Sequence, residues 1–269
     1  MRRQFMRILK RISLLLLSLV MIISLSGCTA DTNNKDERAS FDRFIEKQFI
    51  ETMESDYTTA HVFLEHPENF DVDISKLTVN LGVRLDEESM RNQEKKDADS
   101  WAEFKKFERS KLTKEQQDTY DIYEFQNNLA REMSDDKFDY YPQLFESMSG
   151  LQFQLPSFFS DWEIEDEKDA QDLILLLEDV KPYVDSALAY SETQKSKGLL
   201  MVDADSIKEY CKGILDKGME SSILTSMQEK VSKLNLSEEK SRKYQQQLQE
   251  AFENSFLTAY QAIYDFVIS

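Results

Sequence analysis

The chain has 269 residues and a formal net charge of −18 at pH 7. So acidic a composition argues against nucleic-acid binding, which needs clustered Lys and Arg, and against electrostatic attraction to anionic lipid. Only six Gly and four Pro are present, which disfavours an all-β or collagen-like protein and favours long helices.

The first 28 residues have the organisation of a secretory signal peptide. Five cations precede a largely apolar run from Ile12 to Leu25, and small residues follow. The run is shorter than the ~20 residues that a transmembrane helix needs. The ending Leu25-Ser-Gly-Cys28 resembles the lipobox of bacterial lipoproteins. This resemblance implies cleavage before Cys28, a diacylglycerol on its sulfur, and acylation of the new amino terminus, with palmitate as an expected acyl group.

The sequence therefore predicts a membrane anchor outside the cytoplasm. Two or more acyl chains, at ~0.8 kcal/mol per buried methylene, hold a protein stably on a membrane. We predict a signal peptide over residues 1–27, a polar tether over 28–39 and a helical domain over 40–269. The alternative is an ordinary secreted protein in which the cysteine occurs by chance.

The first half of the predicted domain contains charged helices. Ser40 is placed to cap a first helix, and a short second helix, about residues 58–65, ends before Pro67. Residues 68–82 are compatible with a loop or a short extended segment. A charged helix follows over 86–110, and the Thr113–Gln116 capping box then begins a helix that continues to about Met133.

The second half begins with an aromatic segment, residues 135–162, which we predict to be an ordered loop because it contains Pro142, Gly150 and Pro156. Helices are predicted from Glu165, with a break at Pro182, and then over 203–217 before Gly218, over 222–234, and over 237–267. The predicted class is all-α, a multi-helix array of mostly antiparallel helices.

No catalytic, cofactor-binding or metal-binding residue is predicted. His61 and His66 are the only histidines, and five residues along a helix place them roughly 140° apart, too far apart to chelate one ion. Cys211 is the only cysteine besides Cys28, so no disulfide is expected within the processed chain. We predict a buried apolar thiol at Cys211, because no acid–base partner is close in sequence.

Several stretches resemble, in order, the N-terminal half of the bacterial family known as domain of unknown function 885. They are Phe41–Ile45 with Ser55–Phe70, Leu112–Gln116 with Tyr120–Tyr123, Gly150–Pro156 with Asp169–Tyr183 and Lys197–Met201, and Ala259–Val267. The resemblance implies a relationship to predicted zinc metallopeptidase-like proteins. The family's His-Glu-Gly-x-Pro-Gly-His stretch belongs to its C-terminal half, and no residue of this chain matches it, so we expect no peptidase activity from this chain alone.

Three functions remain open at this stage. The first is a truncated or split, non-catalytic lipoprotein of unknown role whose last helix leaves an apolar patch uncovered. The second is one half of a two-chain zinc peptidase, with a separate chain supplying the missing half. The third is a lipoprotein that binds a solute or peptide through an aromatic segment, made of Phe138, Tyr140, Tyr141, Phe145, Phe153, Phe158, Phe159 and Trp162.

Overall fold

The structure, a computed structural model, describes residues 34–134 and 138–268. The predicted signal peptide, Cys28 and residues 28–33 of the predicted tether lie outside these ranges. Every regular element within them is a helix, which confirms the all-α prediction. None of the helices in these ranges combines the length and the apolar character needed to span a bilayer.

The described residues divide into two compact units. The first contains the residues up to Ser55, Thr59–Lys76 and those of Glu88–Asp139, and the second contains Asp56–Thr58, Leu77–Glu87 and the residues from Tyr140 onward. Both units contain residues of the helical domain predicted over residues 40–269. The apolar side chains of the two units form two separate buried clusters.

Four α-helices and several short 3-10 turns lie before the gap at 135–137. The helices are α1 (Lys35–Met53), α2 (Tyr57–Phe63), α3 (Glu87–Phe104) and α4 (Lys114–Met133). Residues 68–82, which the sequence left open, contain the end of one 3-10 turn (Pro67–Phe70) and the whole of another (Ile74–Lys76), and no strand.

Helix α1 begins earlier than the sequence predicted, so residues 35–39 of the predicted tether are helical. Two carboxylates in the first turn favour this start, because they complement the positive end of the helix dipole. Contacts within the first unit hold the same turn: Glu37 accepts from the Glu108 amide (2.8 Å), and Arg38 donates to the Lys111 carbonyl (2.9 Å). Ser40 lies inside the helix and donates to the Asp36 carbonyl instead of capping.

The core of the first unit is a small cluster of aromatic rings. Phe104, at the end of α3, is fully buried, and its ring centroid lies 4.4 Å from that of Tyr120 and 4.6 Å from that of Tyr123. The capping box of Thr113 and Gln116 is present as predicted, which fixes the start of α4 and so the register of its two tyrosines.

The second unit contains the larger core. Its helices after residue 140 are α5 (Leu151–Asp161), α6 (Glu167–Glu178), α7 (Val180–Ser196), α8 (Ala204–Lys217), α9 (Ser222–Ser232), α10 (Glu238–Ala251) and α11 (Thr258–Ile268). A π-helical segment, Phe252–Leu257, joins α10 to α11 where the sequence predicted one uninterrupted helix. Helix α11 packs against both α7 and α8.

The prediction of a loop over residues 135–162 is wrong for its second half, which is α5. Pro156 lies inside this helix and has no N–H to donate to the carbonyl of Gln152, four residues earlier. The buried hydroxyl of Tyr260 in α11 donates to that carbonyl instead, at 2.6 Å. The helix therefore tolerates the proline because a distant side chain satisfies the unpaired acceptor.

The predicted break near Pro182 is present, between α6 and α7 at Asp179. Ser255 of the π-helical segment stabilises it. Its hydroxyl accepts from the Lys181 amide (2.9 Å) and donates to the Glu178 carbonyl (2.8 Å). The π-helical segment thus supplies the hydrogen bonds that the interrupted helix lacks.

The expected apolar patch on the last helix is not exposed. Tyr260 and Ile263 are fully buried and Phe266 is 9% exposed, because α11 inserts this face into the core of the second unit. Tyr264 and Val267 are half-buried and the terminal Ile268 is 53% exposed, so the unit's own residues cover most of this face but not the end of the helix.

Candidate functional site

The histidines are separated by the end of α2. His61 lies within α2, whereas His66 follows it and precedes Pro67, 3.3 Å from the Glu68 carboxylate. Across the described ranges, no three side chains of His, Cys, Asp or Glu converge to hold a metal ion. Cys28, the predicted lipidation site, lies outside these ranges.

Cys211 is a fully buried thiol on α8, in the core of the second unit. Burial raises its pKa to about 12, so the thiol stays protonated at neutral pH. A protonated, inaccessible thiol is a poor nucleophile. The position of Cys211 therefore supports the packing role expected from the sequence.

The aromatic segment contributes mainly to the core. Phe145 and Phe159 are fully buried and Trp162 is 3% exposed. Phe153 lies against Tyr210 of α8, with ring centroids 3.9 Å apart. Of the eight aromatic residues in the predicted binding segment, only Tyr141 is classed as exposed, so the segment offers little aromatic surface to a ligand.

A charged group is buried between the start of α2 and α6. The Asp172 carboxylate, 5% exposed, accepts from the phenol of Tyr57 and from the ammonium of Lys168. Lys168 also lies 5.3 Å from the centre of the Tyr57 ring. Burial, followed by the hydrogen bond to Asp172, raises the pKa of Tyr57 well above its ordinary value. The carboxylate is paired with the lysine and the Tyr57 phenol stays protonated, so the group serves packing rather than proton transfer.

Arg84, in the segment 77–87, forms a second buried group. The sequence analysis did not identify it, because no local motif surrounds it. Arg84 pairs with Asp179, whose second oxygen accepts from the Leu81 amide at 2.9 Å. Its guanidinium lies 5.5 Å from the Tyr183 ring. One terminal nitrogen, Nη1, is buried with no hydrogen-bond partner among the described residues. The group joins the segment 77–87 to the α6–α7 break.

The first unit presents an open groove of about 390 Å³ along α1, lined by Arg43, Glu46, Lys47, Ile50, Glu51 and Asp71. Its lysine is already paired, since Lys47 donates to Glu103 at 2.9 Å. Alternating charges of this kind form a solvated surface with no convergent set of ligand groups.

Comparisons with known proteins agree with the sequence resemblance. A family model described as bacterial protein of unknown function (DUF885) matches residues 80–269. No curated protein sequence is significantly similar to the chain. Among solved structures, the "putative lipoprotein from Colwellia psychrerythraea" superposes with a TM-score of 0.66 at 16% sequence identity.

That superposition covers 87% of this chain and 41% of the other, so the chain spans about two fifths of the length of the structure that it matches. Identity this low shows a shared fold only. The family match extends over more than half of the residues and confirms the resemblance inferred from the motifs. The chain is therefore a member of the DUF885 family of bacterial proteins of unknown function.

Proposed function

We propose that the chain is an extracytoplasmic lipoprotein, held on the cell membrane by acyl chains on Cys28 and without catalytic activity of its own. The observation that carries the proposal is the Leu25-Ser-Gly-Cys28 sequence after a basic and then apolar segment. The shared fold with a protein described as a putative lipoprotein supports it.

The start of α1 gives the anchor a short reach. Lys35, the first residue of α1, is seven positions after Cys28, and six residues, 29–34, lie between them. Fully extended, seven steps along the chain span at most about 25 Å. The proposal therefore places α1 near the bilayer, and attachment relies on the lipid because the acidic chain is not attracted to anionic headgroups.

The anchor is tested by labelling cells with an alkyne analogue of palmitate. We expect the wild-type chain to take up the label and to sediment with membranes. A Cys28→Ser variant should lose the label, whereas the matched control Cys211→Ser should retain it. Equal labelling of the Cys28→Ser variant and the wild type would contradict the proposal.

The lack of independent catalysis is supported by the side chains described above. The buried phenol and thiol have raised pKa values and stay protonated, and the buried carboxylate is already paired. A general base or nucleophile needs the opposite, a group poised to ionise near neutral pH and reachable by substrate.

A second candidate function follows from the chain's coverage of only 41% of the related structure. A separate polypeptide carrying His-Glu-Gly-x-Pro-Gly-His would complete a zinc peptidase of which this chain is the non-catalytic half. The test is to mix the two polypeptides with a fluorogenic peptide. Activity that needs both and is abolished by a zinc chelator supports the two-chain enzyme, and an inactive stable complex rules it out.

A further inference from the structure

Two polar side chains on the inner face of α7 are left unsatisfied by the described residues. Ser191 and Gln194 are both fully buried. Neither the Ser191 hydroxyl nor the side-chain oxygen of Gln194, Oε1, has a hydrogen-bond partner among the described residues. Native proteins pair nearly all of their buried polar atoms, with protein groups or with ordered water. Two such atoms, one turn apart on the same helix, therefore indicate a hydrogen-bonding molecule between them.

The orientation of the Gln194 amide is fixed by its nitrogen. Nε2 donates to the Tyr140 carbonyl at 2.7 Å and to the Pro142 carbonyl at 2.9 Å. A flipped amide would turn Oε1 towards these two carbonyl oxygens and lose both hydrogen bonds, because all three oxygens are acceptors. The contacts thus fix which atom faces the segment 140–142, and Oε1 is the atom that needs a donor.

The Ser191 hydroxyl departs from the usual behaviour of a hydroxyl in a helix. Serine and threonine side chains within helices commonly donate to a carbonyl three or four residues earlier. In the same helix, Ser186 donates to the Tyr183 carbonyl at 2.8 Å. Thr193 likewise donates to the Ala189 carbonyl at 3.1 Å. The Ser191 hydroxyl makes no such bond, so both its donor and its acceptor capacity remain for another group.

The spacing and chemistry of the two groups suit one water molecule. Residues three apart are neighbours on a helix face, with Cβ atoms about 5–6 Å apart. A molecule that forms two hydrogen bonds of about 2.8 Å bridges a comparable distance. Water can donate to the Gln194 oxygen while it donates to, or accepts from, the Ser191 hydroxyl. Because neither side chain has exposed surface, this water is enclosed by the second unit.

We propose that one water molecule is buried against α7, bound to Ser191 Oγ and Gln194 Oε1, and that it positions the segment 140–142. Tyr140 has a φ of 60°, in the left-handed region that is strained for a bulky side chain. The two hydrogen bonds from Gln194 Nε2 hold the carbonyls of this segment. The water fixes the other end of the same amide, so it keeps the nitrogen aimed at the strained backbone.

A crystal structure of the full chain in mild detergent, at a resolution that shows ordered water, tests the site. We expect one water within about 3.2 Å of both Ser191 Oγ and Gln194 Oε1. In a Ser191→Val variant, the added methyl groups should displace this water while the helix is unchanged. A Ser191 hydroxyl that donates to the Ala187 carbonyl, with no water between the two side chains, overturns the proposal.

Hydrogen exchange tests the positioning role. The Leu151 amide, which donates to the Leu144 carbonyl at 2.8 Å, and the Met201 amide, which donates to Gln143 Oε1 at 2.9 Å, report on the structure beside the segment. We expect both to exchange about tenfold faster in Ser191→Ala.

Ser186→Ala is the matched control, because it removes a hydroxyl of the same helix that bonds only within that helix. It should leave both exchange rates unchanged. Unchanged rates in Ser191→Ala as well, or an equal acceleration throughout the second unit, would overturn the positioning role, since the first shows no coupling to the segment and the second shows general destabilisation.

Discussion

The hydroxyl of Tyr260 performs one identifiable task, which is to satisfy the Gln152 carbonyl that Pro156 leaves unpaired. We expect Tyr260→Phe to lower the free energy of unfolding by about 1–3 kcal/mol, because the buried acceptor then has no donor. Urea unfolding measures the change. Adding Pro156→Ala to the Tyr260→Phe variant should recover part of the lost stability, because alanine restores an amide N–H that can donate to the Gln152 carbonyl. If no stability is recovered, the carbonyl does not depend on the Tyr260 hydroxyl in the way described.

The buried thiol of Cys211 predicts a stability that falls in alkaline solution. Its pKa is raised from an ordinary value near 9 to about 12, so above pH 9 the unfolded chain ionises while the folded chain does not. The stabilisation is complete below pH 9 and decreases as the pH rises towards 12. At pH 10.5 the loss is about 2 kcal/mol relative to pH 8.

Urea unfolding at pH 8 and pH 10.5 compares the wild type with Cys211→Ala. The variant should be less stable at pH 8 because of lost packing, but its stability should fall less steeply with pH. Tyrosines with raised pKa values that do not interact with Cys211, such as Tyr57, titrate in both proteins and cancel in the comparison. The charge of a Cys211 thiolate also raises the pKa values of Tyr210 and Tyr260, so its removal makes the pH dependence of the variant still less steep. Parallel slopes for the two proteins would contradict the prediction, because they would show that folding does not raise the pKa of the Cys211 thiol.

At the scale of the elements, the start of α5 depends on the close approach of the Gly150 backbone to that of Glu146. A Cβ atom on Gly150 would lie 2.2 Å from the Glu146 amide nitrogen and 2.8 Å from its carbonyl oxygen. We expect Gly150→Ala to cost about 1–3 kcal/mol, since backbone atoms must move to make room. Thermal unfolding measures the effect.

Gly213 provides the matched control for this substitution. It lies inside α8, and a Cβ atom there would meet nothing within 4 Å. Gly213→Ala should stabilise the protein by about 0.5–1 kcal/mol, because alanine loses less backbone entropy in a helix. Destabilisation by both substitutions alike would exclude backbone crowding at Gly150 as the cause.

Local signals predicted some elements well and failed for others. The capping box at Thr113 and the end of α8 at Gly218 are each determined by a few neighbouring residues, and both are present. The break before Pro182 is also present, but Ser255 stabilises it from 74 positions away in the chain. Helix α5 was predicted as a loop, because its proline is tolerated only through a residue 108 positions away. The early start of α1 likewise depends on distant contacts with residues 108 and 111.

The candidate surfaces were less predictable than the helices. Arg84 has no local motif, and its role follows from its contact with Asp179, 95 positions later in the chain. The apolar residues Phe125 and Leu129 of α4 have helical spacing, but both are exposed, and the sequence alone does not show that they lie outside the core. Cys28 is the opposite case, because its motif is local. The prediction of its lipidation rests on the sequence alone.

At the scale of the whole molecule, the two units have separate cores, which predicts separate responses to core truncation. Phe104→Ala removes a fully buried ring of the first unit and should cost about 3–5 kcal/mol there. Hydrogen exchange should then report lost protection in α1, α3 and α4. Leu173→Ala, in the core of the second unit, is the complementary variant and should affect α5 to α11 instead. A uniform loss of protection in either variant would show that the two units unfold as one.

The bond between Tyr260 and Gln152 also has a consequence for the timing of folding during synthesis. At about 5–20 residues per second, the 108 positions between them take roughly 5–20 seconds to be translated. Throughout that interval α5 exists without the donor that its proline requires, and the second unit lacks α11 in its core. The first unit can complete its contacts sooner. Its hydrogen bonds between distant parts of the chain, such as that from Gln116 to Arg38, join positions that are 78 apart. A nascent chain halted between these two points would carry one folded unit and one open, apolar segment that depends on chaperones to stay soluble.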